Sequence, residues 1–335
     1  MTALMPARGA IPVAESLDRL LEGCEQREPW KTADSLSGSR FERVVMDGVP
    51  LVVKYISVDD DWLMRASGDL GWRQLTLLSS AVLAALPASI DHAIVGCAPF
   101  TTRPGHQGLA LLMRDVSDSL IPSGGDQIAL DEHRGFIDAM ASLHAAYWGF
   151  RDEIGLFPLA HHYVFLTPMM AELEAATPRA DPVPPAVAVG WQRLGERYPA
   201  DARRLGELAG DPWPLVVALR KGPQTLIHGD WKLGNLGRDG ARTILIDWDR
   251  TGEGPPLFDL AWYLAVNCDR LPESKEDTIG AYRAALESAG VATTSWWDAQ
   301  LAAALSGAFL QLAWSKTEDA PEFGWWSERL TAWQP

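Results

Sequence analysis

The chain has 335 residues, which is more than one average domain and fewer than three. Its 29 basic and 44 acidic side chains give a formal net charge of −15. This balance excludes a general nucleic-acid binder, because phosphate neutralisation needs a positive surface. An acidic surface suits a cationic ligand, although it also promotes solubility. With 47% hydrophobic and 22% charged residues, the chain is predicted to be globular.

The cysteines and the uncharged segments exclude further classes. The three cysteines are far apart and lack a CxxC pair or a histidine at metal-ligand spacing, so neither a disulfide framework nor a zinc site is expected. Met1 to Val13 has no charged segment followed by an apolar one, so no signal peptide is predicted. Polar residues interrupt the longest uncharged runs, which fall short of the roughly 20 apolar residues of a membrane helix. We therefore expect a cytoplasmic protein.

The first hundred residues or so are predicted to be rich in strands. Two hairpins are expected, Arg43–Met46 with Leu51–Ile56 across Asp47-Gly48, and Ile94–Phe100 with Leu109–Met113 across Arg103–Gly105. Between them, four apolar residues at helical spacing predict a helix that ends before Pro87; they are Leu75, Leu78, Val82 and Leu86.

The rest of the chain is predicted to be mainly helical. The first helix carries an apolar face from Phe136 to Tyr147, with Asp131 as its N-cap. Other predicted elements are a surface loop over Pro178–Gly190, a helix from the capping box of Ser274 and Asp277 through Ser288, and a helix over Trp296–Trp314. We place the boundary near residues 113–120, between a β-rich domain 1–115 and a helical domain 116–335.

The segment from His228 to Asp247 carries the candidate chemistry. His228, Asp230 and Asn235 follow H-x-D-x-x-x-x-N spacing. Leu236–Arg238 and Ala241–Ile246 are predicted to form a hairpin with its turn at Asp239-Gly240. When this hairpin folds, Asn235 and Asp247 lie at the same end of it, opposite the turn. Two oxygen ligands there suit Mg²⁺, which takes its other ligands from water and phosphate. The alternative is a turn-rich loop whose Asn and Asp act as caps.

The segment resembles the catalytic loop of the aminoglycoside phosphotransferase and choline kinase-like family. The resemblance implies an α+β, protein-kinase-like bilobal fold with a small β-rich N-lobe and a larger, mostly helical C-lobe. It implies that Asp230 is the catalytic base that orients the acceptor hydroxyl and accepts its proton. Asn235 and Asp247 would bind Mg²⁺, and Lys232 would lie near the γ-phosphate.

Further segments match this family in the expected order. Lys54 resembles the strand lysine that holds the α- and β-phosphates, although a lone strand lysine would more simply be a solvated side chain. Gly38 and Ser39 stand 16 and 15 residues ahead of Lys54, where a glycine-rich loop covers the phosphates, but this loop has only one glycine. Met113 and Asp115 match the hinge whose backbone would pair with adenine.

Two acidic residues have supporting roles in this comparison. Asp259 resembles the aspartate that supports the catalytic loop, although an N-cap is the alternative. The family also needs an acidic partner for Lys54, yet no Glu occurs between Lys54 and Leu111. Asp69, 15 residues after Lys54, is the candidate by spacing, with Asp59–Asp61 as competitors.

The acceptor is expected to be a small molecule. Asp247 and Asp259 are 12 residues apart, which leaves no room for the activation segment of a protein kinase. The C-terminal segment mixes tryptophans with acidic residues, a pattern that suits sugar rings and ammonium groups as well as simple core packing. The candidate acceptor-binding residues there are Glu318, Asp319, Glu322 and Trp325. His144 is expected to pack within a helix, and the pair His161-His162 to lie in a loop or at the surface.

The sequence thus predicts a phosphotransferase that uses ATP or GTP with Mg²⁺. Its acceptor would be a hydroxyl of a small polar molecule, such as an aminoglycoside, an amino sugar or an amino alcohol, with no nucleic-acid or membrane partner. The alternative is a catalytically silent nucleotide-binding module with a regulatory role. A protein kinase is a third interpretation.

Overall fold

The computed structural model describes residues 10–31, 36–179 and 181–334, so most of the segment examined for a signal peptide lies outside the described residues. The strands are β1 (Cys24–Trp30), β2 (Arg40–Met46), β3 (Val49–Ile56), β4 (Ile90–Asp91), β5 (Ile94–Arg103), β6 (His106–Arg114), β7 (Thr225–Ile227), β8 (Leu236–Asp239), β9 (Arg242–Leu245) and β10 (Gly252–Gly254).

The α-helices are short and few in the N-terminal part of the chain and make up most of the C-terminal part. They are α1 (Leu17–Leu20), α2 (Trp62–Ser67), α3 (Arg73–Leu78), α4 (Leu130–Ala146), α5 (Pro168–Ala175), α6 (Val183–Arg197), α7 (Pro199–Gly210), α8 (Trp213–Arg220), α9 (Leu257–Val266), α10 (Lys275–Ser288), α11 (Trp297–Leu312) and α12 (Ala320–Ala332). In the described part of the chain, no helix is long and apolar enough to cross a membrane. The fold is α+β, as predicted.

The chain divides into two compact units. The first comprises the described residues up to Ser123 together with Gly234–Asp247, and the second comprises Gly124–Leu233 and Trp248 onward. The units differ from the predicted domains in two respects: the first unit extends to Ser123 instead of residue 115, and the hairpin of β8 and β9 groups with this N-terminal unit. This hairpin joins β4 in a separate sheet, where β4 runs parallel to β9.

The first unit is built on an antiparallel sheet of order β1-β2-β3-β6-β5. Both predicted hairpins are present, and Asp47 and Gly48 have φ of 50° and 71°, as a tight two-residue turn between strands requires. Apolar side chains on one face form the core with α1. Lys54 lies opposite Phe41 and Leu111, so its backbone is fixed by strands on both sides.

The buried side chain of Asp91 fixes the hairpin of β8 and β9 within the first unit. Asp91 contacts Arg114 at the end of β6 and Arg242 at the start of β9, the latter at 3.3 Å. Its carboxylate also accepts a hydrogen bond from the Ala93 N–H at 2.9 Å. Burial alone would raise the pKa of Asp91, but these donors outweigh burial and lower it. The carboxylate therefore stays charged and holds the two strands.

In the second unit α9 is buried over almost its whole length, because its residues are apolar on every side. Helix α11 packs against α9, and α10 packs against α4. The strands β7 and β10 pair antiparallel, with Ile227 opposite Gly252. This pairing fixes the point at which His228 leaves β7.

Several sequence predictions need correction. Most of the predicted loop Pro178–Gly190 is the first half of α6, because Pro is favourable in the first turn of a helix. Helix α4 begins at Leu130 after Ala129, so Asp131 lies in its first turn and is not its N-cap. The helix predicted before Pro87 is only α3 followed by a short 3₁₀ turn. The turn between β8 and β9 is Gly240-Ala241, one residue later than predicted.

Candidate active site

The hairpin of β8 and β9 brings Asn235 and Asp247 to one end, as its sequence predicts. Leu236 pairs with Leu245, and the Ile246 N–H donates to the Asn235 carbonyl oxygen at 3.0 Å. Asp247 has φ of 69°, in the left-handed region that costs most residues about 1–2 kcal/mol and that Asp tolerates better than most. The chain therefore keeps an aspartate in a strained backbone conformation next to a second oxygen-bearing side chain.

Lys54 contacts Asp247 within the first unit. The Lys54 ammonium forms an ion pair with Asp247 Oδ1, and the lysine side chain is only 8% exposed. A lysine buried to this extent is not the solvated strand lysine of the alternative interpretation, because burial of its charge is unfavourable without a carboxylate partner. The strand register and the ion pair together fix the ammonium group beside the hairpin.

A second carboxylate near Lys54 belongs to Asp61, not to Asp69. The Asp61 side chain is almost fully buried and interacts electrostatically with Lys54; burial raises the pKa of Asp61, while Lys54 opposes this rise. Both carboxylate oxygens of Asp69 instead accept from the Arg73 N–H, at 3.0 and 3.1 Å. The choice of Asp69 by spacing is therefore wrong. Asp61 was among the competitors, and it precedes the first residue of α2.

Asp61 also connects α2 to the loop that contains Gly38 and Ser39. The Ser39 hydroxyl donates to Asp61 Oδ2 at 2.9 Å. Trp62 adds two hydrogen bonds, from its backbone N–H to the Ser37 carbonyl at 3.0 Å and from its indole N–H to the Leu36 carbonyl at 2.7 Å. The loop is therefore held against the start of α2 by backbone and side-chain bonds.

We expect Asp61→Asn to raise the nucleotide KM on the order of fivefold, equivalent to about 1 kcal/mol. Asn caps a helix as well as Asp does and still accepts from Ser39, so the variant mainly removes the charge that faces Lys54. The measurement is nucleotide KM and affinity beside the melting temperature. Asp59→Asn is the matched control, because Asp59 binds Thr102 and Arg103 instead. An unchanged KM in Asp61→Asn would exclude Asp61 as an anchor for Lys54.

In the second unit, the backbone around Gly229 is fixed by Asp259. Its two carboxylate oxygens accept from the His228 and Gly229 N–H groups at 2.7 and 2.8 Å. His144 contacts Asp259 at 3.1 Å and also contacts the Tyr282 hydroxyl, so it is a buried structural residue, as expected. Asp259 lies inside α9 and is not its N-cap, which supports the predicted role under the catalytic loop.

The Asp230 carboxylate lies at the centre of a charged and buried cluster. Arg250 Nη2 and the Trp262 indole N–H both donate to Oδ1 at 3.0 Å, and Lys232 Nζ lies 3.0 Å from Oδ2. Burial alone would raise the pKa of Asp230, but Arg250 and Lys232 outweigh burial and hold the pKa well below its ordinary value. Asp230 is therefore ionised at neutral pH and fixed in orientation.

Arg250 and Trp262 were not predicted from the sequence. They lie 20 and 32 residues after Asp230, and no spacing rule connects them to it. The one available signal was the charge of Arg250, which stands three residues after Asp247 in a segment that is otherwise mostly apolar or acidic. The Arg250 guanidinium also lies over the Phe165 and Trp262 rings, which explains how its charge is accommodated at 3% exposure.

The predicted hinge residues lie at the end of β6. Met113 is within the strand, opposite Val52 and Ile94. The Asp115 carboxylate accepts from the Ser117 N–H at 3.1 Å and forms an ion pair with Arg43 at 3.2 Å. The Asp115 side chain therefore stabilises the turn after the strand.

The acidic C-terminal cluster is already neutralised by basic side chains of the same unit. Glu318 forms ion pairs with Arg197 and Arg193 at 2.6 and 3.3 Å. Glu322 contacts Lys275 and Lys316. These contacts remove the basis for expecting a free anionic cluster that binds an ammonium group.

The other two candidates of the C-terminal segment also have structural partners. Asp319 caps α12 by accepting from the Glu322 N–H at 2.9 Å. The Trp325 indole N–H donates to Glu276 at 2.7 Å, and the Arg329 guanidinium lies 3.7 Å from the Trp325 ring centroid. The composition suggested an acceptor site, but in the folded segment Trp325 joins α12 to α10 and Asp319 caps α12.

The oxygen ligands near Lys54 fit a magnesium ion. Among the described residues, no group of three or more His, Cys, Asp or Glu side chains is arranged to hold a metal. Asn235 and Asp247 provide two oxygen-bearing side chains at one end of the hairpin. Mg²⁺ usually takes one or two protein carboxylates and completes its octahedron with water and phosphate oxygens. The donor set suits such a partly hydrated ion better than a metal that needs an all-protein cage.

The fold of the chain is of the kinase-like type. The family model described as the phosphotransferase enzyme family matches residues 114–298, and the chain belongs to this family. As a member of this family, the protein is an enzyme that transfers phosphate groups. A search of curated proteins finds no match.

Solved structures that are similar to this chain include two choline kinases and an aminoglycoside phosphotransferase. Choline kinase from Cryptosporidium parvum is 12% identical with a TM-score of 0.50, over 91% of this chain and 89% of that one. Choline kinase LicA from Streptococcus pneumoniae is 12% identical, with a TM-score of 0.49 and coverages of 94% and 96%. A mutant aminoglycoside phosphotransferase is 14% identical, with a TM-score of 0.45 and coverages of 93% and 96%. At these identities the likeness concerns the fold alone.

Proposed function

We propose that the protein transfers the γ-phosphate of ATP or GTP, with Mg²⁺, to a hydroxyl group of a small polar molecule. The observation that carries this proposal is the buried Asp230 carboxylate, held by Arg250, Trp262 and Lys232 and kept ionised. Two cationic partners alone do not mark a reacting carboxylate, since the structural Asp91 also has two. Asp230 differs from Asp91 in its place two residues after His228, in the loop whose spacing resembles a kinase catalytic loop, where the position of a carboxylate that orients a reacting hydroxyl must be fixed within a fraction of an ångström.

Asp230 acts in this proposal mainly by orientation. Because Arg250 and Lys232 lower its pKa, the carboxylate is a weak base in the ground state. It accepts a hydrogen bond from the acceptor hydroxyl and aims the oxygen at the phosphorus atom. The hydroxyl proton becomes strongly acidic only as the new bond to phosphorus forms, and Asp230 accepts it at that stage.

The nucleotide that donates the phosphate is bound, with its metal, by Lys54, Asn235 and Asp247. The Lys54 ammonium binds phosphate oxygens, and the Asn235 and Asp247 side chains hold the metal. Bound Mg²⁺ would neutralise charge on the β- and γ-phosphates. Gly38 and Ser39 cover the phosphates, and the backbone near Met113 pairs with the base.

A small acceptor is favoured over a protein side chain. The segment after Asp247 is used by a 3₁₀ turn over Trp248–Arg250, by β10 and by the start of α9 at Leu257. No part of it is available as a peptide-docking segment. In addition, Asp230 is paired with two cations, so its immediate surroundings do not by themselves attract an ammonium group. Neutral polyols therefore belong beside amino sugars and amino alcohols among the acceptors to be tested.

The test is a coupled assay of ADP or GDP release. The panel contains aminoglycosides, hexosamines, amino alcohols and neutral polyols, each with ATP and GTP and with and without Mg²⁺. We expect acceptor-dependent release that needs Mg²⁺ and is lost in Asp230→Asn. Binding of Mg-nucleotide without turnover on any acceptor would favour the silent regulatory module. Autophosphorylation or transfer to peptides would favour a protein kinase.

We expect Glu318→Gln to leave the acceptor KM within about twofold of wild type, even for a cationic acceptor. Glu318 is exposed and paired with Arg193 and Arg197, so removing its charge changes a surface ion pair and not a binding site. The measurement is the acceptor KM at low and high ionic strength, with an acceptor identified by the panel. A large rise in KM at low salt would restore the acidic cluster as the acceptor site.

A further inference from the structure

His162 is a fully buried histidine that the proposed mechanism does not use. The sequence suggested a loop or surface position, which is wrong, because His162 lies in a 3₁₀ turn over Leu159–Tyr163 with no exposed surface. Its ring lies between Phe157 and Phe258, with both centroid distances 4.5 Å. Such a slot between two aromatic rings would favour Phe or Leu on packing grounds alone.

The polar atoms of this histidine face the catalytic loop. A Cβ built on Gly229 would lie 2.7 Å from His162 Cε1, so this edge of the ring touches the residue before Asp230. Cε1 is bonded to both ring nitrogens, so both lie at the same end of the ring. Neither nitrogen has a hydrogen-bond partner within the described residues. Buried polar groups without partners are unfavourable, and each one calls for an explanation.

Arg250 carries a buried hydrogen-bond donor that is complementary to an acceptor nitrogen of His162. Its Nη2 binds Asp230 and the Gly229 carbonyl oxygen, but its buried Nε–H has no acceptor among the described residues. The Arg250 carbonyl oxygen also touches Gly229, since the same built Cβ would lie 2.3 Å from it. Burial and the Arg250 charge keep the pKa of His162 well below its usual value. The imidazole is therefore neutral and offers one nitrogen as an acceptor.

We propose that His162 is a positioning residue that accepts a hydrogen bond from the Arg250 Nε–H and so fixes the guanidinium that holds Asp230. Both side chains border Gly229, the imidazole through Cε1 and the guanidinium through its hydrogen bond to the Gly229 carbonyl oxygen. The proposal rests on the proposed function in assigning Asp230 to the acceptor hydroxyl. It predicts that the protein has a histidine at this position because of the ring nitrogen, although an apolar side chain would give a more stable protein.

The test compares His162→Leu with His162→Gln. Leu fills the slot without a polar atom, and Gln restores an acceptor. For Leu we expect an unchanged or higher melting temperature, a kcat about tenfold lower and a nucleotide KM within twofold of wild type, because one charge-assisted hydrogen bond is lost. For Gln we expect recovery of most of kcat. His161→Leu is the control from the same turn. Equal kcat in the Leu variant and wild type would reduce His162 to packing and overturn the proposal.

A measurement on the wild-type protein tests the contact independently of activity and of variant folding. In ¹⁵N NMR we expect the Arg250 Nε–H to exchange slowly with solvent and to show a cross-peak to the His162 ring. Rapid exchange of that proton with no cross-peak overturns the inference even if the enzyme is active. Conversely, an observed contact in a protein without phosphotransfer would reject the proposed function and leave the contact established.

Discussion

Asp230→Asn is expected to lower the rate of phosphoryl transfer by about 100-fold or more while leaving nucleotide affinity nearly unchanged. In the proposed function the carboxylate orients the acceptor hydroxyl and accepts its proton, and general base catalysis contributes about 10²–10⁴-fold in enzymes of many kinds. An amide presents one oxygen and one NH₂ group, so it cannot satisfy Arg250, Trp262 and Lys232 together. The measurement is kcat with an identified acceptor, beside the affinity for Mg-nucleotide.

The matched control for this variant is Asp239→Asn, an exposed aspartate at the end of β8. It carries the same chemical change without contact to the Asp230 cluster. Melting temperatures of both variants separate loss of activity from loss of folding, because removing one partner of a buried ion pair also destabilises a protein. If Asp230→Asn retains more than a tenth of the wild-type rate, a loss below about 1.4 kcal/mol, Asp230 is not the base.

Asp247→Asn is expected to lower both the rate and the affinity for Mg-nucleotide. The carboxylate contacts Lys54, and the proposed function makes it the charged member of the metal-binding pair, so its loss should weaken two interactions with the phosphates. We expect a rate lower by about two orders of magnitude, as for the loss of other groups directed at developing charge. Titration of nucleotide with and without Mg²⁺ should show that Mg²⁺ no longer strengthens binding.

The contrast between the two variants is the decisive result. Nucleotide affinity should be retained in Asp230→Asn and reduced in Asp247→Asn, because the proposed function assigns the first residue to the acceptor and the second to the metal. Asp247→Ala should show the same loss with lower stability, since Ala is less tolerant of a φ of 69°. Equal Mg-nucleotide affinity in wild type and Asp247→Asn would exclude Asp247 as a metal ligand.

The sequence was most informative where the relevant residues are close in the chain. Asn235 and Asp247 flank one hairpin, so turn chemistry and strand pairing were enough to bring their backbones together. The partners of Asp230 could not be predicted in this way. Arg250 and Trp262 reach it through the packing of α9 and the 3₁₀ turn before β10, and that packing depends on the whole helical unit.

Predictions made from spacing or composition were wrong where nothing in the sequence indicated which residues would be neighbours in the folded protein. Asp69 has a plausible separation from Lys54, but α2 begins directly after Asp61 and so brings the earlier aspartate to the lysine. The acidic C-terminal residues have basic partners far away in sequence, such as Arg197 and Lys275, which no local pattern connects to them. His162 was assigned to a loop or the surface because no carboxylate pattern for a metal lies near it in the sequence, and its contact with the distant Phe258 could not be foreseen.

The left-handed backbone at Asp247 limits the evolutionary routes open to this protein. Besides aspartate, asparagine and glycine are the residues that adopt this conformation most readily. Each is one nucleotide change away from an aspartate codon, and each removes the charge while sparing the turn. A phosphotransferase of this kind can therefore lose catalysis in one step without losing its fold. Genes that carry Asn or Gly at this position would be the first place to look for inactive descendants that still fold.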